Sequence, residues 1–146
     1  MSDRRRSRQL ALQVLYQMEH GAGDDPEQAF ALFAENFKAP PRLREYARFL
    51  VLGVHQKRPQ IDQRLGRASR RWRVERMSRV DRNILRLACF EMFFSPQPVP
   101  PKVVINEAVE LAKRFGSEES PAFVNGVLDS LLNQPEDTEP APSPAG

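Results

Sequence analysis

Apolar residues recur along this chain at steps of three and four, and strict alternation is missing, a pattern that predicts helices and no convincing strand. Ala11, Val14, Leu15 and Met18 form the apolar stripe of a first helix, about Asp3 to His20, which Gly21-Ala22-Gly23 ends. Asp25-Pro26 reads as an N-cap followed by a first-turn proline, and Gln28 completes a capping-box pattern. This second helix carries Phe30, Phe33 and Phe37 and stops before Pro40-Pro41. A third, about Arg42 to Arg58, repeats Leu43, Tyr46/Ala47, Leu50 and Val54. Pro59 is expected to break it and to start a short fourth helix with Ile61 and Leu65. Ser78-Arg79-Val80-Asp81 is a second capping box and opens a fifth helix to about Phe94. After the stiff loop Ser95–Pro101, a sixth helix ends at Gly116, and Ser120-Pro121 caps a seventh that reaches about Asn133.

Seven helices without strands predict an all-α fold. One domain is expected over residues 1–134, with an N-terminal bundle at about 1–70 and a C-terminal bundle at about 71–134. The two halves should pack as a unit, because each alone is short for a stable core. The Pro-rich acidic end, residues 135–146, is expected to be a disordered tail.

Composition narrows the function. No apolar run approaches the roughly 18–20 residues of a membrane span, and the start MSDRRRSR lacks the apolar stretch of a secretory signal, so a cytoplasmic protein is expected. A single cysteine, Cys89, leaves no internal disulfide and no multi-cysteine zinc site, and it reads as a small core residue. P-loop and dinucleotide glycine patterns are missing, as are H-E-x-x-H and C-x-x-C, so no enzyme and no cofactor or metal is expected.

Charge matters by position rather than by total. The net charge is modest, 22 − 19 = +3. Arg4, Arg5, Arg6 and Arg8 crowd the start, and nine more arginines lie between Arg64 and Arg86, interrupted only by Glu75 and Asp81. Compositional bias would scatter arginines, whereas a binding site clusters them, and the planar guanidinium suits phosphate and base edges.

On the first helix, Arg6, Gln9, Gln13, Tyr16 and His20 fall opposite the apolar stripe. Arginine neutralises phosphate, glutamine pairs with a base edge, and tyrosine stacks on an unpaired base, although an ordinary wet face with a half-buried tyrosine carries the same pattern. On the fifth helix, Arg79, Arg82 and Arg86 read as a charged outer face. Glu91 sits in the apolar stripe there and needs a hydrogen-bond donor, an arginine or backbone amides. Glu107 and Glu110 are expected on a solvated face.

Three stretches resemble the bacterial NusB transcription antitermination family: Arg5 to Tyr16, Arg76 to Glu91, and Val103 to Asp129, the last fixing about 27 positions in register. The similarity spans nearly all of the chain before the tail. Ser7 departs from the commoner alanine, and Phe90 from the usual tyrosine. The resemblance implies two packed three-helix-type bundles. It also implies binding of the single-stranded boxA element of ribosomal RNA leaders together with NusE, a ribosomal protein, inside an RNA polymerase antitermination complex. Some family members form homodimers that hide the RNA surface, which leaves a homodimer open here.

By carry-over, Arg5, Arg6, Arg8, Gln13 and Tyr16 should touch RNA, with Lys113 and Phe123 at a second RNA edge around the Gly116–Phe123 loop. Phe123 alternatively points inward. NusE should dock on the C-terminal bundle, with Glu75 and Asp81 as candidates because they interrupt the basic block. A stand-alone module docking on ribosomal RNA, or a protein-interaction scaffold, is the rival reading.

Overall fold

The computed structural model describes residues 2–69 and 72–134, and within them the chain is all-helical. Its α-helices are α1 (Asp3–Gln17), α2 (Pro26–Ala34), α3 (Pro41–Ala68), α4 (Arg79–Cys89), α5 (Pro101–Phe115) and α6 (Ser120–Leu132). Wide π-type turns extend α1 over Met18–Ala22 and α4 over Phe90–Phe94, and a 3-10 turn, Val74–Arg76, precedes α4. The expected tail, 135–146, lies outside the described residues.

Six α-helices stand among the described residues where seven were expected, because Pro59 does not end a helix. Leu50, Val51 and Val54 before it, and Ile61, Leu65 and Ala68 after it, are all buried on one face of α3, while Pro59 faces solvent. Burying such side chains stabilises by roughly 1.5–3 kcal/mol each, which outweighs the roughly 3 kcal/mol of an internal proline.

Two of the three expected N-caps form; the third, Ser120, is instead the first residue of α6, and its hydroxyl accepts from the Ser117 amide. The Asp25 carboxylate accepts from the Glu27 and Gln28 amides, and the Ser78 hydroxyl accepts from the Asp81 amide at 3.1 Å. Gly21 and Gly23 take φ of 106° and 99°, left-handed values that let the chain reverse between α1 and α2.

A continuous hydrophobic cluster runs through all six helices. Its centre is α4, which packs against α1, α3, α5 and α6. Ile84, Leu85, Leu87 and Cys89 are buried there, and burial pushes the Cys89 thiol up to about 12, so it stays protonated and inert. The outer end of the Phe90 ring abuts Gly53, where a Cβ would stand 2.2 Å from Cζ. No described helix is long and apolar enough to cross a membrane.

Candidate nucleic-acid interface

Two ion-pair clusters anchor the ends of α1. At the N-terminal end, the Arg8 guanidinium donates to both oxygens of Glu91, at 2.8 and 3.0 Å, and the Tyr46 hydroxyl donates to the same carboxylate. Burial and the neighbouring Glu91 charge push Tyr46 up to about 12. Glu91 thus has the arginine donor its position demanded. Arg8, expected at the RNA, belongs to the core instead. It stands three, four and seven residues before Ala11, Leu12 and Leu15, all buried, so it shares their stripe.

Arg5 sits at the rim of the same cluster and donates through Nε and Nη2 to Glu107, at 2.9 Å each. Hydrogen bonding from Arg5 holds the Glu107 carboxyl below its ordinary range, against the opposing effect of partial burial. Glu107 is therefore locked to α1 rather than lying on a solvated face as expected.

At the other end, Glu19 accepts from Arg82 and Arg86, and Arg86 also donates to Asp62 of α3 at 2.8 and 2.9 Å. Burial would raise Glu19, but the two arginines outweigh it and hold the carboxyl low. Arg86 is 4% exposed, so the expected outer face of α4 is an inner one at that position. Only Arg79 of that trio is exposed.

Between these clusters the outward face of α1 is open. Gln13 is exposed and Tyr16 half-buried. Tyr16 borders a groove of about 220 Å³, lined by Leu12, Gln13, Gln17, Phe33, Val80 and Phe115. A second cleft, about 200 Å³, joins Arg5 and Gln9 to Glu110, Lys113 and Arg114. Arg5 and Tyr16 are eleven residues apart on one helix, so the two openings lie on one face of α1 roughly 16 Å apart and together form a broken trough that α5 borders through Lys113 and Arg114 at one opening and Phe115 at the other. Tyr16 stacks on His20 with ring centroids 5.7 Å apart, and His20 Nδ1 lies 2.7 Å from the Arg79 guanidinium.

The remaining expected residues are distributed around this trough. Arg6 lies on its α2 side, with Nη2 donating to the Lys38 carbonyl at 3.3 Å and the guanidinium 5.9 Å from the Phe37 ring. Lys113 is exposed and donates to Glu110 at 3.3 Å. Phe123 is half-buried against the core and meets Trp72 edge-on at 6.4 Å, away from Tyr16 on α6. Glu75 is exposed beside Arg73, 3.8 Å away. Asp81 is half-buried in the first turn of α4, with Oδ1 buried and unbonded, which suits the helix N-terminus better than an external partner. Reasoning from sequence passed over Trp72 and gave Glu107 a solvated face and no partner. Trp72 carried a signal, since it stands among arginines; Glu107 pairs across 102 residues and carried none.

The trough presents guanidinium and ammonium groups, side-chain amides and aromatic faces. These groups hold phosphate, read base edges and stack on bases.

The comparisons agree on one family. The model described as "NusB family" matches residues 5–133. The transcription antitermination protein NusB of Myxococcus xanthus is 49% identical over 141 residues, covering 92% of this chain and all of that protein. The solved structure of T. maritima NusB superposes with a TM-score of 0.77 at 36% identity, covering 88% of this chain and 89% of that one. A crystal structure described as antitermination factors NusB and NusE in complex with dsRNA gives a TM-score of 0.76 at 28% identity, covering 90% and 96%. A match that runs from the first helix to the end of the last places this chain in the NusB family.

Proposed function

We propose that this protein is an RNA-binding antitermination factor that recognises single-stranded boxA elements of ribosomal RNA leaders together with NusE. In this reading it keeps RNA polymerase processive through those transcripts. Its work is recognition, not catalysis. The observation that carries this reading is the open face of α1, where Gln13 is exposed and Tyr16 half-exposed at one cleft, and Arg5 and Gln9 meet Lys113 and Arg114 at the other.

Tyr16 and Gln13 read unstacked bases, while Arg6, Lys113 and the free edge of Arg5 hold phosphates. Arg8 acts from beneath, fixing α1 through Glu91 rather than touching the strand. Single-stranded RNA suits this trough because its bases offer their faces, whereas an A-form duplex hides them in the stack. The related NusB–NusE–dsRNA complex supports RNA and NusE as partners. Glu75, exposed at the end of the basic block, is the better of the two candidate NusE contacts; Asp81 contributes mainly to the start of α4.

The test is equilibrium binding of boxA-like RNA to the Arg6→Ala/Gln13→Ala double variant. Affinity should fall at least tenfold with the melting temperature unchanged, and unchanged affinity removes the α1 assignment. A pull-down with NusE and this RNA together tests the partner, and Glu75→Lys should weaken it. Preference for ribosomal RNA helices over boxA would favour the stand-alone docking module instead.

A further inference from the structure

The cleft at the N-terminal half of α1 contains charges of the wrong sign for a phosphate site. Beside Arg5, Gln9, Lys113 and Arg114 it is lined by two carboxylates, Glu107 and Glu110. A carboxylate next to a polyanion repels it. The two carboxylates are held differently, however. Glu110 is exposed and accepts from Lys113, one turn on along α5, at 3.3 Å. A single ammonium on a flexible stem leaves such a solvated contact at little cost.

Glu107 reaches across from α5 to α1, and its side chain is only 18% exposed. Its two oxygens accept from Nε and Nη2 of Arg5, at 2.9 Å each. Its Oε1 also lies 3.9 Å from Nη1 of Arg8, whose own fork closes on the buried Glu91. Glu91 in turn accepts from the Tyr46 hydroxyl of α3. Glu107 is thus the outermost carboxylate in a chain of alternating charges that ends in the core.

A guanidinium carries five N–H groups in a fixed plane and can grip with more than one edge. Glu107 occupies the side edge of Arg5, Nε with one hydrogen of Nη2. The end edge, Nη1 with the other hydrogen of Nη2, is left over, and Nη1 makes no hydrogen bond among the described residues. The Arg5 side chain is 37% exposed in the cleft wall, so a ligand can reach it. Such an edge matches two oxygens of one phosphate. A solvated arginine must lose its rotamer freedom before it can offer that edge, and this loss weakens binding. Glu107 fixes Arg5 before any ligand arrives.

We propose that Glu107 is a positioning residue for RNA, holding Arg5 so that the end edge of its guanidinium meets a backbone phosphate of the strand in this cleft. In this assignment, which rests on the RNA reading above, Glu107 strengthens binding despite its charge.

The sign of a charge-removing substitution separates positioning from repulsion. BoxA-like RNA is titrated against the full chain, Glu107→Gln, Glu110→Gln, Arg5→Ala and the Arg5→Ala/Glu107→Gln pair. Glu107→Gln keeps the side-chain volume but cannot accept from both Arg5 nitrogens, and affinity should fall roughly two- to tenfold. Glu110→Gln makes the same charge change in the same cleft and should leave affinity unchanged or raise it. In the Arg5→Ala background, Glu107→Gln should cause no further loss, because the group it positions is gone. Arg5→Lys carries the test if Glu107→Gln melts early. It keeps both charges and loses the fork, so affinity should fall by a similar factor with the salt slope unchanged.

Glu107→Gln that binds RNA as tightly as the unaltered chain, or tighter, overturns the assignment and makes Glu107 a repulsive neighbour. An equal loss with and without Arg5 also overturns it, since Glu107 then acts through the fold alone. Full affinity in Arg5→Lys does the same. If the unaltered chain does not bind the RNA, the α1 reading itself fails and the assignment falls with it.

Discussion

The two ends of α1 and its middle use the same kinds of residue for opposite purposes. At the ends, Arg8 and Arg86 are 5% and 4% exposed and face carboxylates with fixed geometry. In the middle, Gln13 and Tyr16 remain reachable, and Lys113 and Arg114 are exposed at the neighbouring cleft. Arginine density alone therefore does not mark a binding face in this protein. Part of each basic block stitches helices together, and recognition falls to the side chains left over at the rim.

The largest expected effect tests the inner clusters. Arg86→Ala removes the paired donor of Asp62 and one of the two arginines on Glu19, and Arg8→Ala leaves the buried Glu91 charge with only the Tyr46 hydroxyl; each should cost about 3–5 kcal/mol in denaturant unfolding. A loss under about 1 kcal/mol would mean that these pairs contribute little and would erase the contrast with the rim. Tyr16→Ala should do the reverse, cutting RNA affinity roughly five- to hundredfold in a binding titration while leaving the melting temperature in place.

Gly53→Ala comes next. The new methyl meets the Phe90 ring, and overpacking of this kind should cost about 1–3 kcal/mol in thermal unfolding. Shrinking the ring in a Gly53→Ala/Phe90→Leu pair should recover part of that loss.

Acid should reveal the clusters without mutation. Glu19 and Glu107 have folded pKa values below their ordinary value of 4.5. The stability they contribute is therefore complete above that value and is lost as pH falls through the lower, folded values. Glu19→Gln should flatten the fall in melting temperature over that acid range. An unchanged pH profile would contradict the geometry at α4. The smallest effect is at the rim: Lys113→Ala should reduce the salt slope of RNA binding by about 0.7.

Much of this is legible in the sequence. Helix positions followed from apolar spacing and from caps such as Asp25 and Ser78, because those signals are local. Pro59 misled because a proline rule is local too, whereas three buried side chains on each side of it, Leu50, Val51 and Val54 before and Ile61, Leu65 and Ala68 after, decide the helix. The outward face of α1 was visible in Gln13 and Tyr16. The inward turn of Arg8 was also written in the heptad it shares with Ala11 and Leu15, but the cluster of arginines around it pointed the other way. Glu107 reads as solvated from the sequence, since its partner is far away in the chain.

Photocrosslinking is the most direct test of the α1 face. BoxA-like RNA carrying 4-thiouridine at successive positions is irradiated with the full chain, and the crosslinked peptides are sequenced. Crosslinks should fall on Gln9–Tyr16 of α1 and Lys113–Phe115 of α5. Crosslinks confined to the outer surfaces of α2 and α3, around Leu32 and Phe49, would contradict the account.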